Sequence, residues 1–216
     1  MTLLEFARGT ALQWALIIFL FGISLRLVSI FLFHKNKPLS VARKTSFWAS
    51  IQTIFSRSIP HAIFRKRIGS VYISSTAWHL GFLFVLLFLE PHISFFRGLL
   101  GISWPSVANS VVMPIAGFTL ALLIWALIRR YRHPVLKKIS TVDDYFSLIV
   151  TALPLLTGLM ASAHIGLRYE TMLAIHMLSV SLLLVWFPFS KLMHILLFIP
   201  SRKRLGEKLA RRGVKA

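Results

Sequence analysis

The chain has 216 residues, of which 56% are hydrophobic and 14% charged, with a mean hydropathy of +0.75. About a quarter of an ordinary soluble domain is charged, so this balance excludes soluble and disordered classes and predicts a polytopic membrane protein. There is no cysteine, which rules out disulfides and any thiolate-held cluster or zinc within the chain.

The net charge of +19 is unevenly placed. Of the 25 Lys and Arg, eight fall in 34–69, five in 129–144 and seven in 200–216. Nucleic-acid binding would call for a diffuse basic face. Three basic segments alternating with apolar runs fit the positive-inside pattern, with contacts to anionic lipid. No nucleic-acid partner is expected.

The first apolar run predicts a helix over 11–33. Glu5 and Arg8 precede it rather than a basic leader, and no small-residue cleavage site follows, so no cleaved signal peptide is expected. Arg26 can snorkel toward an aqueous surface. The loop 34–69 is basic, with no acidic residue. Inside it Phe47, Trp48, Ile51, Ile54, Phe55 and Ser58 recur at helical spacing, which predicts an amphipathic helix at the inner membrane face, ended by Pro60. A second spanning helix is expected over 70–91. An outer loop at 93–106 carries Phe95, Phe96 and Trp104, suited to the interface. The third helix, 107–128, has Pro114 and Gly117 as candidate bends. The inner loop 129–144 ends on Asp143 and Asp144, candidate caps for the fourth helix, 145–164, which Pro154 and Gly158 would kink. A short turn leads to the fifth helix, 171–199, and a basic tail, 200–216. The expected fold is therefore an all-α integral membrane protein of five transmembrane helices, with the N-terminus outside and the C-terminus cytoplasmic.

The fifth helix carries His176 and His194. Their spacing of 18 residues is five turns of regular helix, which places both rings on one face about 27 Å apart along the axis. Imidazoles in a membrane segment are costly and point to function. One near each surface would serve two stacked haems, each iron taking a second histidine from another helix. His34, His61 and His133 lie in basic loops and read as solvated.

Two motifs carry a resemblance. Residues 187–194 read Phe-Pro-Phe-Ser-Lys-Leu-Met-His, and residues 78–81 read Trp-His-Leu-Gly. The chain resembles the cytochrome b (gamma) subunit family of membrane-bound respiratory nitrate reductase, whose relatives serve sulfur-metabolism and heterodisulfide-reductase-like complexes. The resemblance implies haem b on His79 and His194 at the inner side. It implies a second haem on His176 at the outer side, partnered by His92, with His164 as the alternative. The family places its second helix-two ligand where this chain has Leu89. The next histidine is His92, after Glu90-Pro91. On an unbroken helix, 13 residues put His92 about 220° from His79, so Pro91 would have to redirect it. Gly81 is read as room for a flat macrocycle beside the backbone.

The implied function is a haem b anchor subunit in the cytoplasmic membrane, passing electrons between the quinone pool and an iron–sulfur partner subunit that serves a catalytic subunit. Glu90 and His92 are candidate proton acceptors at the quinone site. The alternative is a haem-free scaffold or proton-relay subunit.

Overall fold

A computed structural model describes residues 1–33 and 47–214. His34 and four of the eight basic residues of the first inner loop lie outside the described residues. All regular structure among those described is helical. Five helices are long and apolar enough to cross a membrane: Leu3–Ile30, Ala62–Phe88, Asn109–Arg132, Val142–Ser162 and Tyr169–Phe189. Their exposed faces carry large apolar side chains such as Trp14, Leu20, Phe21 and Phe118, as lipid-facing helices require. The protein is an all-α, multi-pass membrane protein.

The chain divides into two units, residues 1–19 with 73–186 and residues 20–72 with 187–216. The first unit begins with α1 (Leu3–Phe6) and a π-helical turn, Ala7–Ala11, that leads into α2 (Leu12–Phe33). It continues through α4 (Ala62–Phe88), α5 (Glu90–Leu100), α6 (Asn109–Arg132), α7 (Pro134–Ile139), α8 (Val142–Ser162) and α9 (Tyr169–Trp186). The second contains α3 (Phe47–Ser56) and α10 (His194–Arg211), with the adjoining parts of α2 and α4.

In the first unit α8 packs on both α6 and α9, and the N-terminal π turn packs on α9. Val85, Leu89, Val112, Ala116, Leu120, Leu123 and Leu155 form its apolar core. Lipid is as apolar as these side chains, so close packing and hydrogen bonds, rather than burial from water, hold such helices together. Gly81 shows this directly. A Cβ there would overlap Thr119 Oγ1, so the glycine lets α4 approach α6. The side reserved in the sequence for a macrocycle is filled by Thr119.

Ser147 ties α9 to α8. Its hydroxyl donates to Asp143 Oδ1 at 2.9 Å and accepts from Trp186 Nε1 at 3.0 Å. The α8 cap is Thr141, not Asp143 or Asp144. The backbone N–H of Thr141 and its hydroxyl both donate to Asp144 Oδ2, at 2.9 and 3.0 Å. Asp144 also pairs with Arg130 at 3.2 Å.

Several boundaries differ from the sequence reading. The second spanning helix starts at Ala62 rather than 70 and ends at Phe88 rather than 91. The expected outer loop 93–106 is mostly helix α5. The fifth helix does not run unbroken over 171–199. It stops at Trp186, passes through short 3-10 turns at Phe187–Phe189 and Lys191–Met193, and restarts as α10 at His194. Pro188 is the cause, having no N–H to donate and a ring that clashes with the preceding turn. The tail expected as a separate segment is the body of α10. The premise that His176 and His194 share one face of a regular helix is therefore overturned.

In the second unit α3 packs on α10. Ser50 and Thr53 of α3 and Gly206 of α10 are buried there. Phe47, Trp48 and Phe55 are exposed, so α3 turns its small polar face to its neighbour and its aromatic face outward.

Candidate functional site

The site in the first unit is built on a broken helix. Leu89 leaves helical geometry, with φ −79° and ψ 127°, and caps α5. Pro91 sits in the first turn of α5, where its missing N–H costs nothing. At the end of α4, Val85 O keeps its helical bond from the Leu89 N–H at 3.3 Å, while the freed carbonyls find new donors, Leu87 O in Trp104 Nε1 and Phe88 O in the Val107 N–H at 3.0 Å. The break turns His92 back onto α4, where its Nδ1 lies 3.0 Å from Val85 O.

This places His92 opposite His176. The two ring centroids are 6.2 Å apart and the ring planes differ by 15°. His176 is held from α8. Its Nδ1 lies 3.2 Å from Thr157 Oγ1. The Thr157 hydroxyl already donates to Leu153 O at 2.7 Å, so its oxygen is the acceptor and His176 Nδ1–H the donor. Ser179 closes the cluster, donating to His176 O at 2.7 Å with its oxygen 3.1 Å from Thr157 Oγ1. Gly158 makes the space: a Cβ there would stand 3.1 Å from His176 Cε1.

The bonds define the tautomers. A carbonyl accepts from His92 Nδ1–H and a hydroxyl from His176 Nδ1–H, so each neutral ring carries its lone pair on Nε2. A metal ligand needs that state, and an outer hydrogen bond of this kind fixes the ring's orientation. With metal–imidazole bonds of about 2 Å, two imidazoles on opposite sides of one iron have centroids roughly 6 Å apart. The observed centroid separation equals this distance, and the two rings lie as a stacked pair. No group of three or more His, Asp or Glu able to hold a metal ion occurs among the described residues; a haem asks the protein for only two ligands.

Burial pushes the His92 imidazole below its ordinary value, with the carbonyls of Val85 and Leu86 acting in the opposite direction. His92 is therefore neutral at physiological pH.

His164, the alternative partner, does not face His176. It sits in the turn after α8 at φ 55°, exposed, with its ring stacked on Tyr169 at 5.2 Å. Glu90 is exposed at the start of α5 and accepts from Ser94 Oγ at 3.2 Å. His79 is half-buried. Its Nδ1 is 2.7 Å from Ser75 O, and its ring stacks on Trp78 at 3.5 Å. His194 belongs to the other unit. It is the first residue of α10, exposed, with Nδ1 2.8 Å from Lys191 O. Of the four sequence-nominated ligands, His92 and His176 are brought face to face.

Thr157, Ser179 and Leu89 are the contributors that the sequence reading passed over. Gly158 is assigned there to a kink, whereas it serves as the clearance for the His176 ring. A hydroxyl on one helix and a histidine on the next leave no fixed sequence spacing, so only packing reveals the pair.

A curated protein of Nitratidesulfovibrio vulgaris (strain Hildenborough), described only by the word "Protein", is 34% identical over 129 residues. The match covers 60% of this chain and 57% of the relative. No family model and no solved structure matches.

Proposed function

We propose that this chain is a haem b anchor subunit of a respiratory redox complex, similar to the gamma subunit of membrane-bound nitrate reductase. The observation that carries the reading is the His92–His176 pair, with 6.2 Å between near-parallel rings. Both Nδ1 atoms are held by acceptors in the same unit. Each ring makes one such bond, as a packing histidine would; what supports the reading is that the two rings are brought together.

In this proposal His92 and His176 hold the outer haem, and His79 is the first-unit candidate ligand for an inner one. Haem b, when bound, supplies a one-electron carrier whose potential follows its axial ligands, burial and hydrogen bonding. Thr157 keeps His176 in the Nε2-basic tautomer. Val85 O does the same for His92. Gly158 admits the His176 ring, and the core around Leu89 and Leu155 excludes water. Glu90 lies two residues from His92 and is the candidate acceptor for protons released when a quinol is oxidised. An iron–sulfur subunit and a catalytic subunit are the proposed partners, on the side reached by the basic loops. That side is cytoplasmic by the positive-inside rule, in the cytoplasmic membrane, with the N-terminus outside. The direction of electron flow follows from whichever partner is bound.

The test is spectroscopic. The chain is purified with its partner and reduced with dithionite, beside His92→Ala, His176→Ala and His79→Ala. Two b-type haems per wild-type chain are expected. The His92 and His176 variants should each lose the same one, and the His79 variant the other. Retention of both haems in the His92 and His176 variants would refute the pairing. A colourless, folded wild-type protein would leave the haem-free scaffold or proton relay as the reading.

A further inference from the structure

The second unit carries most of the charge. It holds 17 of the 25 Lys and Arg and one of the six acidic residues, Glu207. Within it an open cleft of about 620 Å³ is lined by Arg26, Lys191, His194 and Arg202, with Phe198 and Leu205 among its apolar walls. The geometry points to this cleft as a seat for an anionic phospholipid, its phosphate on Arg26 and Arg202 and its acyl chain along the apolar wall.

Five observations converge on this. Arg26 lies four residues before the end of the apolar span Leu3–Ile30. Its Nε donates to Pro188 O at 3.2 Å, which fixes the guanidinium at the cleft. A guanidinium has five N–H groups, and a phosphate is the acceptor that a membrane surface offers for the others. Arg202 is placed over the Phe198 ring, 5.4 Å from its centroid, so the second cation is held beside the apolar wall. The exposed aromatics of α3, Phe47, Trp48 and Phe55, belong to the same unit and are the residue types that mark the headgroup layer. Glu207 is the unit's one acidic side chain, and it is not among the described residues that line the cleft. Basic pockets between membrane helices bind acidic headgroups in this way.

The inference is independent of the haem pair in the other unit. The full chain is exchanged into vesicles of one part phosphatidylglycerol to three parts phosphatidylcholine, extracted, and weighed by native mass spectrometry. The variants are Arg202→Gln and Arg26→Gln/Arg202→Gln. Lys203→Gln/Lys208→Gln serves as a charge-matched control outside the cleft. At about one surface cation's contribution each, phosphatidylglycerol occupancy should fall about fivefold in the single variant and roughly 25-fold in the double. The control should retain it. Arg202→Gln leaves the Arg26–Pro188 bond in place, so it reports on binding even where the double variant is unstable. Equal losses in the control would overturn the proposal, because the attraction would then be diffuse. Equal retention of both lipids by the wild type would overturn it too. So would loss of haem with lipid retained, which would give the arginines to haem carboxylates. A colourless protein that still retains phosphatidylglycerol would refute only the haem reading.

Discussion

The two units treat their histidines in opposite ways. His176 lies in a helix interface, with Thr157, Ser179 and Gly158 setting its position and protonation. His194 stands exposed at the start of a helix, beside an open basic cleft. A helix breaks beside a proline within the first unit, and Pro188 stands at the head of the second unit's last segment; the two places have different consequences. At Leu89 the broken end is closed by Trp104 and Val107 from the following segment, and His92 turns inward. At Pro188 the freed carbonyl is taken by an arginine side chain. Gly22 admits the ring there: a Cβ on it would lie 2.7 Å from Pro188 Cβ and Cγ. A break enclosed by helices delivers a fixed imidazole, and a break capped by a long cation delivers a charged, open surface.

The strongest way to break this contrast is to fill the clearance at His176. Gly158→Leu should destabilise the protein by about 3 kcal/mol through overpacking. It should also displace the ring, so the outer b-type absorbance is lost with His92 intact. Gly117→Ala is the control, since nothing lies within 4 Å of a Cβ there; it should raise stability by up to about 1 kcal/mol through helix propensity. Thermal melts and reduced spectra of both report the result. Equal melting temperatures for the two variants would mean that the His176 pocket is as loose as an exposed helix face.

A smaller effect is expected at Thr157. Thr157→Val keeps the volume and removes the acceptor for His176 Nδ1–H. A buried unsatisfied donor costs about 1–3 kcal/mol. Loss of the outer hydrogen bond should lower retention of a ligated metal group by about 10- to 100-fold. Thr157→Ser, which keeps the hydroxyl, should restore most of both. A failure of serine to rescue would assign the effect to the methyl group's packing instead.

The pH dependence sharpens the same contrast. In the chain prepared without haem, His92 titrates near 6.5 when unfolded and at lower pH when folded, because burial disfavours its charged form. Between those values the unfolded chain binds more protons, so stability rises with pH. The contribution is present above the ordinary value and is lost as pH falls from there through the folded value. Melting temperatures from pH 7.5 down to 5 should therefore drop in the wild type, and the slope should flatten in His92→Asn. An unchanged slope in that variant would place the titrating group elsewhere.

These particulars mark what was legible beforehand. Hydropathy is a sum over about 20 residues, so the five spans are readable from composition alone, and the helix at Phe47–Ser56 is readable from its helical spacing. His92 and His176 could be nominated because imidazole is rare and costly in apolar segments. The break at Pro188 was missed because its flanks are as apolar as a continuous span, and a single proline weighs little in such a sum. The motif that ends in His194 reads as apolar helix although the proline and serine within it stop one. The roles of Gly81 and Gly158 were exchanged for a different reason. Which neighbour faces a glycine depends on how α4 meets α6 and α8 meets α9, and no local pattern encodes that.

The smallest expected effect tests whether the second unit is as fully satisfied as the first. Ser50 is 1% exposed at the α3–α10 interface, and its Oγ has no hydrogen-bond partner among the described residues. A buried hydroxyl without a partner loses its bond to water and gains nothing in return. Ser50→Ala removes that penalty and about one atom of packing, so the two terms nearly cancel. Stability should stay within about 0.5 kcal/mol of the wild type, or rise slightly. The matching change in the first unit, Ser147→Ala, strips Trp186 Nε1 of its acceptor and Asp143 of a donor. It should cost about 1–3 kcal/mol. Chemical melts of the two alanine variants measure the difference directly. A loss at Ser50 as large as that at Ser147 would mean that its hydroxyl is bonded too, and that the contrast between the units lies in their charge rather than in how completely their buried polar groups are paired.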